Sequence, residues 1–365
     1  MKKILSYLLI FVIGLGLGFG LPQLIDWYLT ENQSPLPAPT QSSQKSENKF
    51  ILSQKVGASL VWWDQDNGLA TLKKNKDKIS SLNPVWYKVK IDGSIEKFSG
   101  AENKEIIDFA KDNHIQIIPA ITNDCEPYES EEVLKNNSLI EKHLKDILQI
   151  VETKNYDGIE INYECLSGGS SIRSQYSDFL SQLSDKLHAQ KKILTTSVHA
   201  KNSDAGIWEG AAAQDWKVLG QKCDQVKIMT YDFHWSTSEA GDIAPLSWME
   251  ETLSYAVKVI DLNKIYLGIH FYGYDWKEKQ AKDLTYNNVL DLVKRFQPQI
   301  ATSKELEKYF KYTDNDESHT VYYADHETIS KRIELVKKYK IAGIGIWRLG
   351  QEDPENWTTI NNILK

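Results

Sequence analysis

Residues 157–164 read DGIEINYE, in which polar and apolar residues alternate after the glycine. Because side chains of a strand alternate between its two faces, Glu160, Asn162 and Glu164 share one face and the apolar residues share the other. If the apolar face packs on helices, the polar face points into a closed barrel, where a carboxylate is costly to bury without hydrogen bonds. Such a polar ladder indicates catalysis. The alternative is an edge strand whose polar face lies in water.

Short apolar runs recur along the chain, and a stretch compatible with a helix follows each of them. The runs are residues 57–63, 84–89, 115–121, 158–164, 193–199, 226–231, 265–271 and 341–347. Alternation of strand and helix predicts parallel strands, and these runs predict an α/β fold of the (β/α)8 TIM-barrel type. A doubly wound open sheet would be expected to carry a Gly-rich phosphate loop after an early strand, and the sequence has none.

The longest gap between runs lies between the seventh and the eighth, at about residues 276–340. It holds two or three stretches with helical patterns and a strand-like segment at 319–323. We therefore predict a small insertion there, within one catalytic domain that covers residues 50–365.

The N-terminus is predicted to lie outside the folded domain. Lys2 and Lys3 precede an uninterrupted apolar run, residues 4–21, that is long enough to cross a bilayer. Residues 1–28 are therefore predicted to be a signal anchor, a transmembrane helix with the rest of the chain extracytoplasmic, because positive residues stay on the cytoplasmic side. Residues 29–49 are rich in Pro, Ser and Gln and are predicted to be a disordered linker. The alternative is a secreted protein from which a signal peptide has been cleaved.

Composition excludes several classes of partner. The net charge is −7, and the Lys and Arg residues are scattered, so the basic stripe of a nucleic-acid-binding protein is missing. The 11 Trp and 18 Tyr suit stacking on sugar faces. The eight His show no HxxxH spacing and no Gly-Lys-Ser/Thr loop occurs, so we predict no metal and no cofactor.

The ends of the predicted strands are polar and aromatic, and in barrels of this type the chemistry lies at the carboxyl ends of the strands. The residues at these ends are Trp62, Trp63, Asp64, Asn123, Asp124, Asn162, Glu164, His199, Tyr231, Asp232, His270, Tyr272, Tyr274, Trp347 and Arg348.

Four of these elements resemble glycoside hydrolase family 18, the family of chitinases and endo-N-acetylglucosaminidases. Residues 157–164 resemble its DGxDxDxE signature, residues 229–232 (MTYD) its MxYD element, and residues 268–273 (GIHFYG) its GxPxYG element. Trp347 lies where the family keeps a Trp beneath the reacting sugar. The resemblance runs from about Gly57 to the end of the chain and is closest to the bacterial branch of spore-cortex-lytic and cell-wall glucosaminidases.

The resemblance implies hydrolysis of β-1,4 bonds next to N-acetylglucosamine, in chitin-like or peptidoglycan glycans. The substrate's own acetamido oxygen attacks the anomeric carbon, so the configuration is retained. Glu164 takes the place of the proton donor, and Asn162, Tyr231 and Asp232 complete the implied catalytic set. The implied substrate-binding residues are Trp347, Asp157, Glu160, Tyr272, Trp63 and Met229.

Two positions depart from the family signature, because Asn162 and Glu160 both stand where the family has Asp. The Asn oxygen accepts a hydrogen bond from the acetamido N–H, but a neutral amide stabilises developing positive charge less well than a carboxylate. Each pKa unit of lost coupling is worth about 1.4 kcal/mol. We expect Glu160 to restore part of that charge by reaching upward. The alternative function is a catalytically impaired barrel that binds glycans.

The cysteines carry one further prediction. Cys125 follows the third run and Cys165 follows the fourth, and the ends of neighbouring strands lie about 5 Å apart, within disulfide range. An extracytoplasmic location favours a Cys125–Cys165 disulfide, and the alternative is two buried free thiols. Cys223 is expected to stay reduced.

Overall fold

A computed structural model describes residues 54–125 and 128–364. The predicted anchor (1–28) and linker (29–49) therefore lie outside the described residues. Within those described ranges, no helix is both long enough and apolar enough to cross a membrane.

The strands and helices alternate along most of the chain. The strands are β1 (Lys55–Val61), β2 (Ser81–Val89), β3 (Ile95–Lys97), β4 (Gln116–Ile117), β5 (Ala120–Thr122), β6 (Gly158–Asn162), β7 (Ile193–His199), β8 (Gln225–Met229), β9 (Ile265–His270), β10 (Gly273–Lys277), β11 (Gln280–Leu284), β12 (Ala301–Thr302), β13 (Lys308–Asp314), β14 (Glu317–Tyr323) and β15 (Gly343–Trp347). The α-helices are α1 (Gln65–Asn75), α2 (Lys104–Asp112), α3 (Glu129–Leu134), α4 (Asn137–Thr153), α5 (Arg173–Ala189), α6 (Glu209–Ala213), α7 (Trp216–Lys222), α8 (Leu246–Val259), α9 (Tyr286–Phe296), α10 (His326–Tyr339) and α11 (Asn356–Leu364).

Eight parallel strands close into a barrel in the order β1, β2, β5, β6, β7, β8, β9 and β15, and β15 pairs with β1 again. The closure is visible at Gly57, which pairs with Ser81 on one side and with Gly345 on the other. The third strand is interrupted, so that β4 and β5 both pair with β2. All eight predicted runs overlap barrel strands, and the predicted barrel is confirmed.

The apolar face of β6 packs on the outer helices, as the alternation of its side chains predicts. Tyr163, which directly follows β6, stacks on Phe179 of α5, and its hydroxyl lies 2.6 Å from Nε2 of His143 of α4. Both rings are buried, and burial of an aromatic side chain of this kind stabilises the fold by about 2–3 kcal/mol. The opposite face of β6 must therefore point into the barrel.

Helix α4 shows how the sequence forms the outer layer. It begins after Asn136, whose side-chain oxygen accepts hydrogen bonds from the backbone N–H groups of Ser138 and Leu139. Such a cap satisfies donors that have no partner within the helix. Residues spaced three and four apart then form the buried face, namely Ile140, Leu144, Ile147 and Val151.

An inserted sheet lies between the seventh and eighth barrel strands. It has five strands in the order β11, β10, β14, β13 and β12, all antiparallel, and one helix, α9. The sheet begins at Gly273, before the predicted start of the insertion at 276. Of its five strands only β14, the last in sequence, was predicted. The next helix, α10, leads into β15 and belongs to the outer layer of the barrel.

Candidate active site

A pocket of about 110 Å³ opens at the carboxyl ends of the barrel strands. The polar ladder of β6 and the carboxyl-terminal part of β8 supply half of the residues that line it, and Trp347 also lines it. The predicted residues that line it are Glu160, Asn162, Glu164, Met229, Tyr231, Asp232 and Trp347. The structure therefore brings together the proposed proton donor, the acetamido-binding candidates and the stacking ring.

Glu164 lies two residues beyond the end of β6 and is half-buried. The Asn123 side chain fixes its backbone, because Oδ1 of Asn123 accepts from the N–H of Glu164 at 3.0 Å and from that of Cys165 at 3.3 Å. The carbonyl oxygen of Glu164 lies 2.9 Å from Nε2 of His199. Burial, followed by the negative charges of Asp232 and Glu160, raises the pKa of the Glu164 carboxyl above its ordinary value. A general acid needs a pKa that is raised in this way.

Asn162 bridges Glu164 and the interior of the pocket. Its Nδ2 donates to Oε1 of Glu164 at 2.9 Å. Its Oδ1 is buried and has no hydrogen-bond partner among the described residues. A buried carbonyl oxygen without a partner is costly, so this atom is ready to accept an N–H from a ligand.

Glu160 does not reach upward, which corrects the expectation from sequence. Its Oε1 accepts from the Ser197 hydroxyl at 2.6 Å, and its Oε2 forms an ion pair with Nζ of Lys227 at 2.8 Å. The side chain is almost fully buried at the pocket floor. Both carboxylate oxygens are engaged within the protein, so direct substrate binding by Glu160, as the family signature implied, is not supported.

Tyr231 projects into the pocket from the end of β8, on the same face as Met229, which is half-buried there. Burial, followed by the nearby carboxylates, raises the pKa of Tyr231 well above its ordinary value, so the hydroxyl keeps its proton and can donate a hydrogen bond to a ligand. The neighbouring residue on β9 must be glycine, since a Cβ on Gly268 would lie 2.9 Å from the Tyr231 ring and 2.4 Å from the carbonyl oxygen of Ile228.

Asp232 is held by two tyrosines that follow β9. The hydroxyls of Tyr272 and Tyr274 both donate to Oδ1 of Asp232, at 2.5 and 3.1 Å. Tyr272 also meets the Tyr231 ring edge to face, with the ring centroids 6.3 Å apart. Tyr272 therefore orients Asp232 beside Tyr231 at the wall of the cleft.

Trp347 lines both this pocket and a second cavity of about 240 Å³, which Trp63, Tyr272 and Arg348 also line. The Trp347–Arg348 peptide bond is cis. Trp63 is 55% exposed at the rim, and the Arg348 guanidinium lies over its ring at 6.0 Å. Trp347 and Trp63 thus offer two aromatic surfaces along one cleft.

Asp157 lies at the opposite end of the barrel, which corrects its prediction as a substrate-binding residue. It precedes β6, whereas Glu164 follows that strand, so the two are roughly 20 Å apart along the strand. Its Oδ2 accepts from the backbone N–H of Ile117 in β4 at 2.8 Å. Asp157 therefore fixes the pairing of neighbouring strands.

Cys125 and Cys165 form a disulfide, with their Cα atoms 4.7 Å apart. This bond lies directly beside Glu164, where Asn123 also bonds to the carbonyl oxygen of Cys165 at 2.8 Å. Cys223 is a buried free thiol, and burial raises its pKa well above its ordinary value.

Sequence reasoning missed Lys227 and Ser197. The signal for Lys227 was present, because a lysine stands among the apolar residues of β8 at the same alternation as Met229 and Tyr231. Its partner in β6 is 67 residues away in sequence, so the ion pair itself could not be read. Among residues 54–125 and 128–364, no group of three His, Cys, Asp or Glu side chains is arranged to hold a metal ion.

Comparisons with known proteins place the chain in a family. A protein of Bacillus subtilis (strain 168) described as uncharacterized glycosylase YvbX is 30% identical over 238 residues, which are 64% of this chain and 69% of the relative. A cortical fragment-lytic enzyme of Bacillus anthracis is 28% identical over 62% of this chain and 54% of its own length. The chain thus spans only part of the length of these curated relatives.

The fold is shared with a crystal structure of a chitinase from Chromobacterium violaceum ATCC 12472. The TM-score is 0.79 at 23% identity, covering 85% of this chain and 99% of that one. The family model for glycosyl hydrolases family 18 matches residues 41–352, which include every residue that lines the pocket. The chain therefore belongs to glycosyl hydrolase family 18.

Proposed function

We propose that this chain hydrolyses β-1,4 bonds next to N-acetylglucosamine in chitin-like or peptidoglycan glycans, with retention of configuration. One observation carries the proposal. A half-buried carboxyl with a raised pKa, Glu164, accepts a hydrogen bond from Asn162. The Asn162 carbonyl oxygen is buried without a partner among the described residues, and Asn162 lines the same pocket as Tyr231. An acid, an N–H acceptor and an O–H donor are the three groups that an acetamido sugar needs for substrate-assisted cleavage.

In the first step Glu164 donates its proton to the glycosidic oxygen as the bond to the anomeric carbon breaks. The acetamido oxygen of the same sugar attacks that carbon and forms a cyclic oxazolinium. Tyr231 donates a hydrogen bond to the acetamido oxygen and aligns it, and the Trp347 ring supports the sugar by stacking. In the second step Glu164, now a carboxylate, takes a proton from water, which opens the ring with a second inversion.

Asn162 performs part of this work without a charge. Its Nδ2 already donates to Glu164, and its Oδ1 is free to accept the acetamido N–H. Both contacts hold the attacking group and the acid in one geometry. A neutral amide offers less stabilisation to the positively charged intermediate than a carboxylate would, so we expect slower turnover than with Asp at this position.

A second candidate function rests on the same feature. On the pocket face of β6, Asn162 is neutral and the charge of Glu160 is balanced by Lys227. That arrangement favours binding a neutral glycan over stabilising a cation. In this reading the barrel binds glycans through Trp347 and Trp63 and cleaves them slowly or not at all.

We also propose that the domain works outside the cytoplasm, tethered to the membrane by residues 1–28, with secretion after signal cleavage as the alternative. The support is the apolar run 4–21 behind two lysines, together with the Cys125–Cys165 disulfide, which suits an oxidising compartment. A protease-accessibility assay on intact cells tests this, since an extracytoplasmic domain is digested while the cells remain sealed.

The experiment for the hydrolase proposal compares the wild-type chain with Glu164→Gln. Each is incubated with chitooligosaccharides and with purified peptidoglycan glycan strands, and the products are identified by mass spectrometry. The proposal expects the wild type alone to cleave, and the pool that is cut names the substrate. Intact glycans in every reaction, together with measurable chitooligosaccharide binding by calorimetry, would favour the glycan-binding barrel instead.

A further inference from the structure

Lys227 is a charged residue inside the barrel that the proposed mechanism does not use. It lies in β8, its side chain is only 7% exposed, and it lines the same pocket as Glu164 and Tyr231. Its stem runs past two glycines of neighbouring strands, and Cβ atoms built there would stand 3.6 Å from it at Gly57 and 3.5 Å at Gly345. The Lys227 stem therefore lies within ordinary packing distance of both glycine positions.

The ammonium of Lys227 has one carboxylate partner. Its Nζ lies 2.8 Å from Oε2 of Glu160, whose other oxygen accepts from Ser197. Both members of the pair are buried, with the Glu160 side chain 4% exposed. Buried ions persist only when they are paired and hydrogen-bonded, so each member depends on the other for its charge.

The charged groups that face Glu164 come from several strands. On its own strand the charged group is Glu160, which Lys227 of β8 balances, and the Asn162 amide that contacts Glu164 is neutral. At the end of β8 the phenol of Tyr231 and the carboxylate of Asp232 face it. Towards β5 and β7, Asn123 and His199 contact only its backbone.

We propose that Lys227 is a positioning residue for this site: it holds the charge of Glu160 at the pocket floor, so that Glu164 alone gives up and takes back the proton. The inference rests on the proposed hydrolysis, because the proton of Glu164 is used only there. Its test does not, because the titration needs no substrate. Without Lys227, Glu160 would share protons with Glu164, because two nearby carboxyls in a buried site do not ionise independently. The negative charge of Glu160 is already among the causes that raise the pKa of Glu164.

The test follows the side-chain carboxyl carbons by NMR in the full-length chain labelled with ¹³C at the glutamate carboxyl. Glu164→Gln and Glu160→Gln assign the two signals. In Lys227→Met we expect the chemical shifts of Glu160 and Glu164 to change together in two titration steps. The midpoint of the upper step should lie about one pH unit above the midpoint of Glu164 in the wild type. The double variant Lys227→Met/Glu160→Gln lacks both ions, so its Glu164 should titrate in one step, below the upper step of Lys227→Met.

Glu160→Gln is the counterpart that keeps the inference falsifiable if Lys227→Met does not fold. It removes the negative charge that helps to raise the pKa of Glu164, so the Glu164 titration should move in the opposite direction, to lower pH. A purely structural role for Lys227 would produce no opposite shifts. An unchanged Glu164 titration in Lys227→Met, or in Glu160→Gln, would overturn the inference.

The titration needs no substrate, so its failure is distinct from failure of the proposed hydrolysis. If the wild type cleaves glycan, the alkaline limb of kcat/KM should move upward in Lys227→Met by the same amount as the NMR titration. Opposite NMR shifts in a wild type that cleaves nothing would keep the role of Lys227 and overturn only the hydrolysis. Cleavage with unshifted titrations would overturn only the role of Lys227.

Discussion

Two glutamates have pKa values shifted in opposite directions. They are Glu164 at the pocket and Glu307 between the barrel and the inserted sheet. Glu164 has no cationic partner within the part of the chain that the structure describes, and burial raises its pKa. Glu307 is fully buried, and although burial alone would raise its pKa, interaction with His270 and Arg332 holds the pKa below its ordinary value. One carboxyl is thus prepared to exchange a proton, and the other is kept ionised.

The partners of Glu307 explain why it is structural. Its Oε1 lies 2.8 Å from Nε2 of His270, and its Oε2 accepts from the backbone N–H of Ala244 at 3.2 Å. Arg332 lies 3.5 Å from the same Oε2 and donates to four backbone carbonyls, those of Ala244, Leu306, Thr328 and Glu305. This network binds β9, α10 and the loop after β8 to the inserted sheet. It contains no free acceptor aimed into the pocket, in contrast to Asn162.

The largest expected effect separates the two glutamates by activity. Glu164→Gln should lower kcat roughly 10³-fold, because a positioned general acid contributes about that factor. Glycan affinity should stay within a few-fold, since the amide keeps the size and the acceptor atom of the carboxylate. Steady-state kinetics and calorimetry on the same preparation measure both. Retention of most of the activity would remove Glu164 from the proposed role.

The next effect concerns stability at the other glutamate. Arg332→Met should lower the free energy of unfolding by about 3–5 kcal/mol, since it leaves Glu307 short of a partner and several buried carbonyls unpaired. Thermal and denaturant unfolding measure the loss. The alkaline limb of the pH–rate profile should not move. A shifted limb would show that the Arg332–Glu307 network influences the pKa of Glu164, and it would contradict the separation of the two glutamates.

A smaller effect is expected from restoring a charge beside Glu164. Asn162→Asp should raise kcat about tenfold, because a carboxylate stabilises the oxazolinium by roughly one pKa unit more than the amide does. KM should change little. If the wild type is a glycan-binding barrel, the same substitution should create measurable cleavage. A fall in kcat would mean that the donor Nδ2 of Asn162 matters more than the missing charge.

The smallest effect is the dependence of stability on pH. The folded pKa of Glu164 is raised, so its stability contribution is complete below the unfolded pKa and is lost as pH rises through the folded value. Glu164→Gln removes this loss and should raise Tm by about 3 °C at alkaline pH, with no gain near pH 4.

The folded pKa of Glu307 is lowered, so its contribution is complete above the unfolded pKa and is lost as pH falls. Glu307→Gln should therefore be less stable than the wild type at neutral pH, by a difference that shrinks in acid. Thermal scans across pH with the same sign for both variants would contradict the assignment.

The barrel and the ladder were predictable because both depend on local periodicity. Apolar runs separated by helical stretches predict parallel strands, and alternation along β6 puts Glu160, Asn162 and Glu164 on one face. The role of Asp157 was wrong because the family signature spans the whole strand, and its first residue lies at the amino end. Position along the strand, which alternation does not report, decides whether a residue reaches the pocket.

What could not be predicted depends on contacts between distant segments. Lys227 determines the orientation of Glu160 through an ion pair, and Glu307 does the same for His270. Neither pairing can be recognised from the local sequence. Most strands of the inserted sheet were missed because their exposed faces are polar and their apolar residues are few, as in β11. Only the folded chain shows which of the buried carboxyls is balanced.

The central claim is that the acetamido group of the substrate attacks the anomeric carbon while Glu164 supplies the proton. Time-resolved ¹H NMR of the reducing end released from a chitooligosaccharide, or from whichever glycan the chain cleaves, tests it most directly. Two inversions predict that the β anomer appears first and then mutarotates. Initial release of the α anomer, or no product from a folded wild type that binds the glycan, would contradict the account.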